Sequence, residues 1–179
     1  MVKAFNVSEG TSDVGIDNAI TGQLPRRVAI ALVTNKAFTG DYTLNPFQFD
    51  HYNLNHLALI INGIQVPTKA YTPNFSGGIV AREYLGLFEA YNQLTTDSSI
   101  SLTKKQWANG NTIFAFNLSA DLADDCNKMG YANPIRSGTL RIELIFAQPL
   151  TETLNVLMYN EFDNIIEINQ DRQAITDYI

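Results

Sequence analysis

Cysteine is nearly missing: Cys126 is the only one in 179 residues, so no internal disulfide braces the fold, and a reducing compartment suits the chain. Charge is scarce too. Charged residues make up 17% of the sequence, below the roughly 25% usual for globular domains, which leaves much of the exterior to neutral polar groups or to interfaces. With 12 Lys and Arg against 18 Asp and Glu, a pI near 4.8 and no basic stripe, sequence-specific nucleic-acid binding is not expected. The N-terminal MVKAFNVSEG lacks an apolar signal core, and no run of about 18 apolar residues occurs. A soluble protein made in the cell interior, without a membrane partner, is the expectation. Three Asn-X-Ser triplets, at Asn6, Asn74 and Asn117, read as chance in a chain where about one residue in ten is Asn.

What the chain does contain is short apolar stretches punctuated by Gly, Pro, Asn and Asp. VKAFNV (2–7) reads as a first strand, followed by the polar connection SEGTSDVGIDNAITG. RRVAIALVT (26–34) alternates Val28, Ile30 and Leu32 with Arg27, Ala29 and Ala31, the period of a half-buried strand. NKAFTGDYTLNPFQF, broken by Gly40 and Pro46, is a long loop carrying aromatics. LNHLALIIN and IQVPTKAY flank Asn62-Gly63, so 54–71 is a hairpin, because a type I′ turn needs two positive φ angles. Pro67 has no N–H for a central ladder, which makes the second arm an edge strand or one interrupted by a bulge. Val80, Tyr84, Leu87, Phe88 and Tyr91 recur at helical spacing within 79–94. Strands then return at 111–119, 139–147, 153–162 and 165–169, and Leu140, Ile142, Leu144 and Phe146 give the second of these one dry face. Many strands and one short helix in a connection describe an all-β, antiparallel sandwich in a single domain over 1–179, and the length favours a jelly roll.

Reaction chemistry finds little to stand on. His51 and His56 are the only imidazoles; five residues apart on extended chain they face opposite sides, and no third completes a ligand set. Cys126 lies in DLADDCNKMG, where neighbouring carboxylates raise a thiol pKa and make it a poor nucleophile. Carboxylates gather as Asp121, Asp124 and Asp125 and again as Glu161, Asp163, Glu167 and Asp171, but nothing sets one opposite another as glycoside hydrolysis needs, and such runs are usually solvated. The glycines fit neither the phosphate loop nor the dinucleotide fingerprint. The sequence therefore predicts no enzyme, no cofactor and no metal.

A resemblance goes further. GQLPRRVAIALVTNKAFTGDYTLNPFQFDHYNLNHLALIINGIQVP, REYLGLFEAYNQL, NTIFAFNLSADL and GTLRIELIFAQPLTETLNVLMYNEFDNIIEINQDRQAITDY occur in that order. Together, over about 22–178, they resemble the C-terminal jelly-roll part of hexon-like major capsid proteins of Polinton (Maverick) elements and adintoviruses. The resemblance implies a double jelly-roll subunit whose trimers form the capsomers of a virion, with homotypic subunits and neighbouring capsid proteins as partners; only one jelly roll fits in this chain. It brings no catalytic residues. An assembly interface is expected at Val2, Phe5 and Val7 of the first strand, near where a second jelly roll would join, and at Phe47 and Phe49 in the aromatic loop. The alternative is a carbohydrate- or protein-binding module on the same sandwich, marked by a concave patch of aromatics and carboxylates.

Overall fold

A computed structural model describes residues 1–94, 100–119, 135–164 and 166–176. In chain order the elements are β1 (Val2–Val7), β2 (Asp13–Gln23), β3 (Arg27–Thr34), α1 (Asn35–Thr39), β4 (Leu54–Ile61) and β5 (Ile64–Tyr71). They continue as α2 (Ala81–Ala90), α3 (Lys104–Ala108), β6 (Ile113–Asn117), β7 (Ser137–Phe146), β8 (Leu154–Glu161), β9 (Ile166–Ile168) and β10 (Ala174–Thr176). Two four-stranded sheets, ordered β1-β8-β3-β6 and β2-β7-β4-β5, are antiparallel throughout. β9 and β10 form a separate two-stranded ribbon.

The two sheets share one core because period-two side chains from each meet in the middle. Val28, Ile30 and Leu32 of β3 lie level with Phe116, Phe114, Met158 and Val156 in register, and all are at most 4% exposed. From the other sheet Leu140, Ile142 and Leu144 of β7 pair across to Ile61, Leu59 and Leu57 of β4. Each such side chain removed from water contributes about 1.5–3 kcal/mol, so the sandwich is held by the apolar faces where its two sheets meet rather than by its few ion pairs. The outer face of β7 is wet as its alternation predicts, with Arg141 bridging Asp17 at 3.2 Å and Glu143 at 3.1 Å.

The predicted hairpin is present, and Asn62 and Gly63 take the two left-handed φ values, 50° and 82°. β5 is an edge strand and also loses register against β4 between the partners of Leu57 and Leu59, so both expectations for the Pro67 arm hold. The helix within 79–94 is α2, with Gly86, Leu87 and Phe88 buried; it packs along β6 and covers that edge of the first sheet.

Several expectations need correction. The polar connection after β1 is largely β2, eleven residues long and paired with β7, with a register break between Ile16 and Ile20 where Asn18 is left-handed. β3 is not half-buried: Arg27 at 7%, Ala31 at 8% and Val33 at 1% exposure show that its second face is covered too. Arg27 lies there under the Tyr91 ring with its guanidinium 3.1 Å from both Glu161 oxygens. One helix becomes three among the described residues, since α1 opens the aromatic loop under a Thr34 cap and α3 starts with a reciprocal Thr103–Gln106 capping box.

Candidate functional site

The expected assembly residues part company. Val2 points outward from the first sheet at 64% exposure beside its register partner Tyr159, at 48%. Val7, five residues further on and so on the opposite face, is 5% exposed and belongs to the core, and Phe5 is half-buried against that core. The single apolar flank expected of Val2, Phe5 and Val7 is thus corrected to Val2 alone, because odd positions past Lys3 on this strand face the other sheet. Phe47 is 75% exposed. Phe49 is half-buried, its backbone tied to Gly110 and Thr112 at 2.9 and 2.8 Å.

Among the described side chains the carboxylates do not converge. Glu161 pairs with Arg27, and Asp163 pairs with Arg26 at 3.3 Å; Asp171 is exposed in the turn of the β9–β10 ribbon. Glu167 sits on β9, and Asp121, Asp124, Asp125 and Cys126 lie outside the described residues. Among the described residues no three His, Cys, Asp or Glu gather as a metal ion requires.

His51 and His56 separate. His56 is on the outer face of β4, opposite Ile145. His51 is built into a tight loop: its carbonyl accepts the Leu54 N–H at 2.8 Å, its Nδ1 accepts the Asn53 N–H at 2.9 Å, and Tyr52 and Asn53 are both left-handed. The acceptor role fixes the neutral tautomer with the proton on Nε2. Burial pushes the imidazole pKa down from its usual value, and the Asp50 carboxylate opposes that shift. Burial likewise pushes the Tyr52 phenol up, helped by Asp50 and Glu152.

The His51 ring stacks on Phe75 at 3.9 Å with planes 8° apart, and Phe75 continues to Trp107 at 5.9 Å. Trp107 is fully buried, donates its indole N–H to the Ile113 carbonyl at 2.9 Å, and meets Phe114 and Tyr84 edge-on. This aromatic chain fixes the loop after β5 against the loop before β4. Between those loops lies a cavity of about 460 Å³, with Leu54 and Pro73 beneath and Asn53, Asn55, Thr72, Asn74 and Ser76 around it. Asn55 reaches it because β4 carries a bulge between Leu54 and His56, where two steps of β4 oppose one of β7. Carboxamides and hydroxyls supply the polar part of this lining. A second, more apolar groove of about 600 Å³ runs between the edge strands β5 and β6 beside α2, lined by Val66, Tyr71, Ala90 and Phe116.

In the sequence His51 stands out only as one of two imidazoles without a ligand set, and its stacking partner does not stand out. Asn74-Phe75-Ser76 drew notice only as a triplet, and Trp107 drew none, although a lone Trp after a capping box is a fair sign of a buried anchor.

An antiparallel two-sheet domain with a polar cavity at one loop end is thus what the chain defines. No known family's sequence profile matches it. It is similar to uncharacterized protein F54H12.2 of Caenorhabditis elegans, with 26% identity over 182 aligned residues that cover 99% of this chain. The chain spans 42% of that relative's length.

Proposed function

We propose that the sandwich is a jelly roll and that the protein is a structural subunit of a virus-type shell, a hexon-like capsid domain of the Polinton and adintovirus kind that works by self-association into capsomers. Strand order supports the fold. Strands 1 and 8, 2 and 7, 3 and 6, and 4 and 5 are hydrogen-bonded partners. Every such pair is what one long hairpin with its tip at Asn62-Gly63 would make, and the remaining pairings, β3 with β8 and β4 with β7, are those that rolling the hairpin into two sheets adds.

The observation that carries the function is exposed apolar surface. Phe38, Tyr42, Leu44 and Phe47 are 48%, 98%, 40% and 75% exposed within one ten-residue loop stretch, and Val2 and Tyr159 add a second patch on the outer face of the first sheet. Isolated exposed apolar residues are ordinary, but clusters of aromatics mark surfaces that become covered. Low overall charge and the sequence resemblance over about 22–178 agree with a subunit made to be surrounded by copies of itself. The test is to express the longest open reading frame containing this segment and examine it by light scattering and electron microscopy. Trimers or shells are expected; a stable monomer at high concentration defeats the proposal.

A further inference from the structure

We propose that the cavity beside Asn53 and Asn55 is a binding site for a neutral saccharide, a role independent of whether the chain assembles. Its volume, about 460 Å³, falls in the range of small-ligand sites. Among the described residues, the side chains of Asn53, Asn55, Thr72 and Ser76 make no hydrogen bond within the protein, and all four are exposed at the cavity. Asn74 is half committed, its Oδ1 accepting the Gly77 N–H at 2.8 Å while its amide protons stay available.

Ligand class follows from that inventory. A carboxamide offers donors and an acceptor side by side, and a hydroxyl offers one of each, which is the complement of adjacent sugar hydroxyls. No charged side chain lines the cavity, so a phosphate, a carboxylate or an amine would give up hydration without meeting a counter-charge. One face of the Phe75 ring is covered by His51 at 3.9 Å, and Trp107 approaches the ring at 5.9 Å. The covered face is closed to a sugar ring, so recognition falls mainly to the amides and hydroxyls, with Leu54 and Pro73 as apolar floor.

The site is also held in advance of any ligand. The bulge in β4 turns Asn55 toward the cavity, and the His51 Nδ1 bond holds Asn53 in a left-handed conformation that non-glycine residues rarely adopt. Bulges and left-handed residues cluster where a side chain must be aimed. Preorganisation of this kind lowers the ordering cost of binding.

The test is an array of charged and uncharged glycans probed with the full chain, followed by titration of maltotetraose, chitotetraose and the strongest array hit into isotope-labelled protein. Binding to an uncharged glycan is expected, with the side-chain amide resonances of Asn53 and Asn55 among those that shift. Asn55→Ala should weaken affinity about tenfold, the worth of one or two lost hydrogen bonds. Ser76→Trp, which fills the cavity from an exposed loop position, should abolish binding while the melting temperature stays put. No glycan bound, a preference for sialylated or sulfated glycans, or equal binding by both variants would each overturn the assignment.

Discussion

Gly86 sits in the middle of α2, where helix propensity alone says that alanine should stabilise by up to about 1 kcal/mol. The structure reverses that sign. A Cβ on Gly86 would fall inside contact distance of the Tyr71 hydroxyl oxygen and 3.1 Å from Cζ. Tyr71 is 8% exposed, and its ring is bounded by Phe116 at 5.1 Å and by the Arg82 guanidinium at 5.0 Å. Arg82 is itself anchored to the Ala70 and Lys69 carbonyls at 2.7 and 2.6 Å, so the ring cannot step aside freely. Overpacking of this kind costs about 1–3 kcal/mol, which leaves Gly86→Ala a net loss of about 1 kcal/mol after the propensity gain. Tyr71→Phe removes the offending oxygen, and among the described residues that hydroxyl makes no hydrogen bond, so the change itself should cost little. In the Tyr71→Phe background the 3.1 Å approach to Cζ remains but the closer oxygen contact is gone, so the alanine should cost clearly less, a coupling of about 1 kcal/mol. Urea denaturation followed by circular dichroism reads all four corners of the cycle. A higher midpoint for Gly86→Ala alone, or an undiminished loss in the Tyr71→Phe background, refutes the steric argument.

The parts of this fold that sequence reveals are those where one residue's chemistry decides the backbone. Asn62-Gly63 is legible because few other pairs accept φ values of 50° and 82° in succession, and β7 is legible because its burial alternates without a break from Leu140 to Phe146. β2 is not. Its outward face is Asp13, Gly15 and Asp17, and its register break inserts Asn18 where period two should continue. Local propensity argues against a strand that pairing with β7 nevertheless enforces. Val7 was misjudged for a related reason: position along the chain suggested a flank, but facing is set by parity against β8, which only the register reveals. α3 carried a readable signal, Thr103 and Gln106 at capping-box spacing ahead of Trp107, that a search for apolar periodicity passes over in a five-residue helix. The cavity is the least legible feature, because its walls come from the chain before β4, the β4 bulge and the loop after β5. The first two adjoin in sequence, but the third lies beyond the whole β4–β5 hairpin; their meeting depends on the β4–β5 pairing and on the His51–Phe75 stack.

Three further predictions test separate parts of this account. Gly63→Ala places a side chain at φ 82° and should cost about 1–2 kcal/mol; an unchanged urea midpoint would show that the turn relaxes. Because burial holds the folded-state pKa of His51 below its ordinary value of about 6.5, the unfolded chain protonates first. The corresponding stability is fully present above about pH 6.5 and is lost as pH falls through the folded value. Denaturation midpoints should drop as pH falls below about 6.5, and less in His51→Phe, which keeps the stack on Phe75; equal slopes would mean that other groups carry the dependence. The last prediction separates core from interface on β1. Val7→Asp buries a carboxylate at a position 5% exposed among apolar neighbours, so it should lose several kcal/mol or fail to fold. Val2→Asp, at 64% exposure, should leave the melting temperature unchanged. If the outer face of the first sheet meets a neighbouring subunit, the same substitution sets an unpaired charge against an apolar patch and should lower the fraction of assembled material in a sedimentation experiment. Assembly of Val2→Asp at the wild-type level would move the interface away from β1 and onto the exposed Phe38–Phe47 loop.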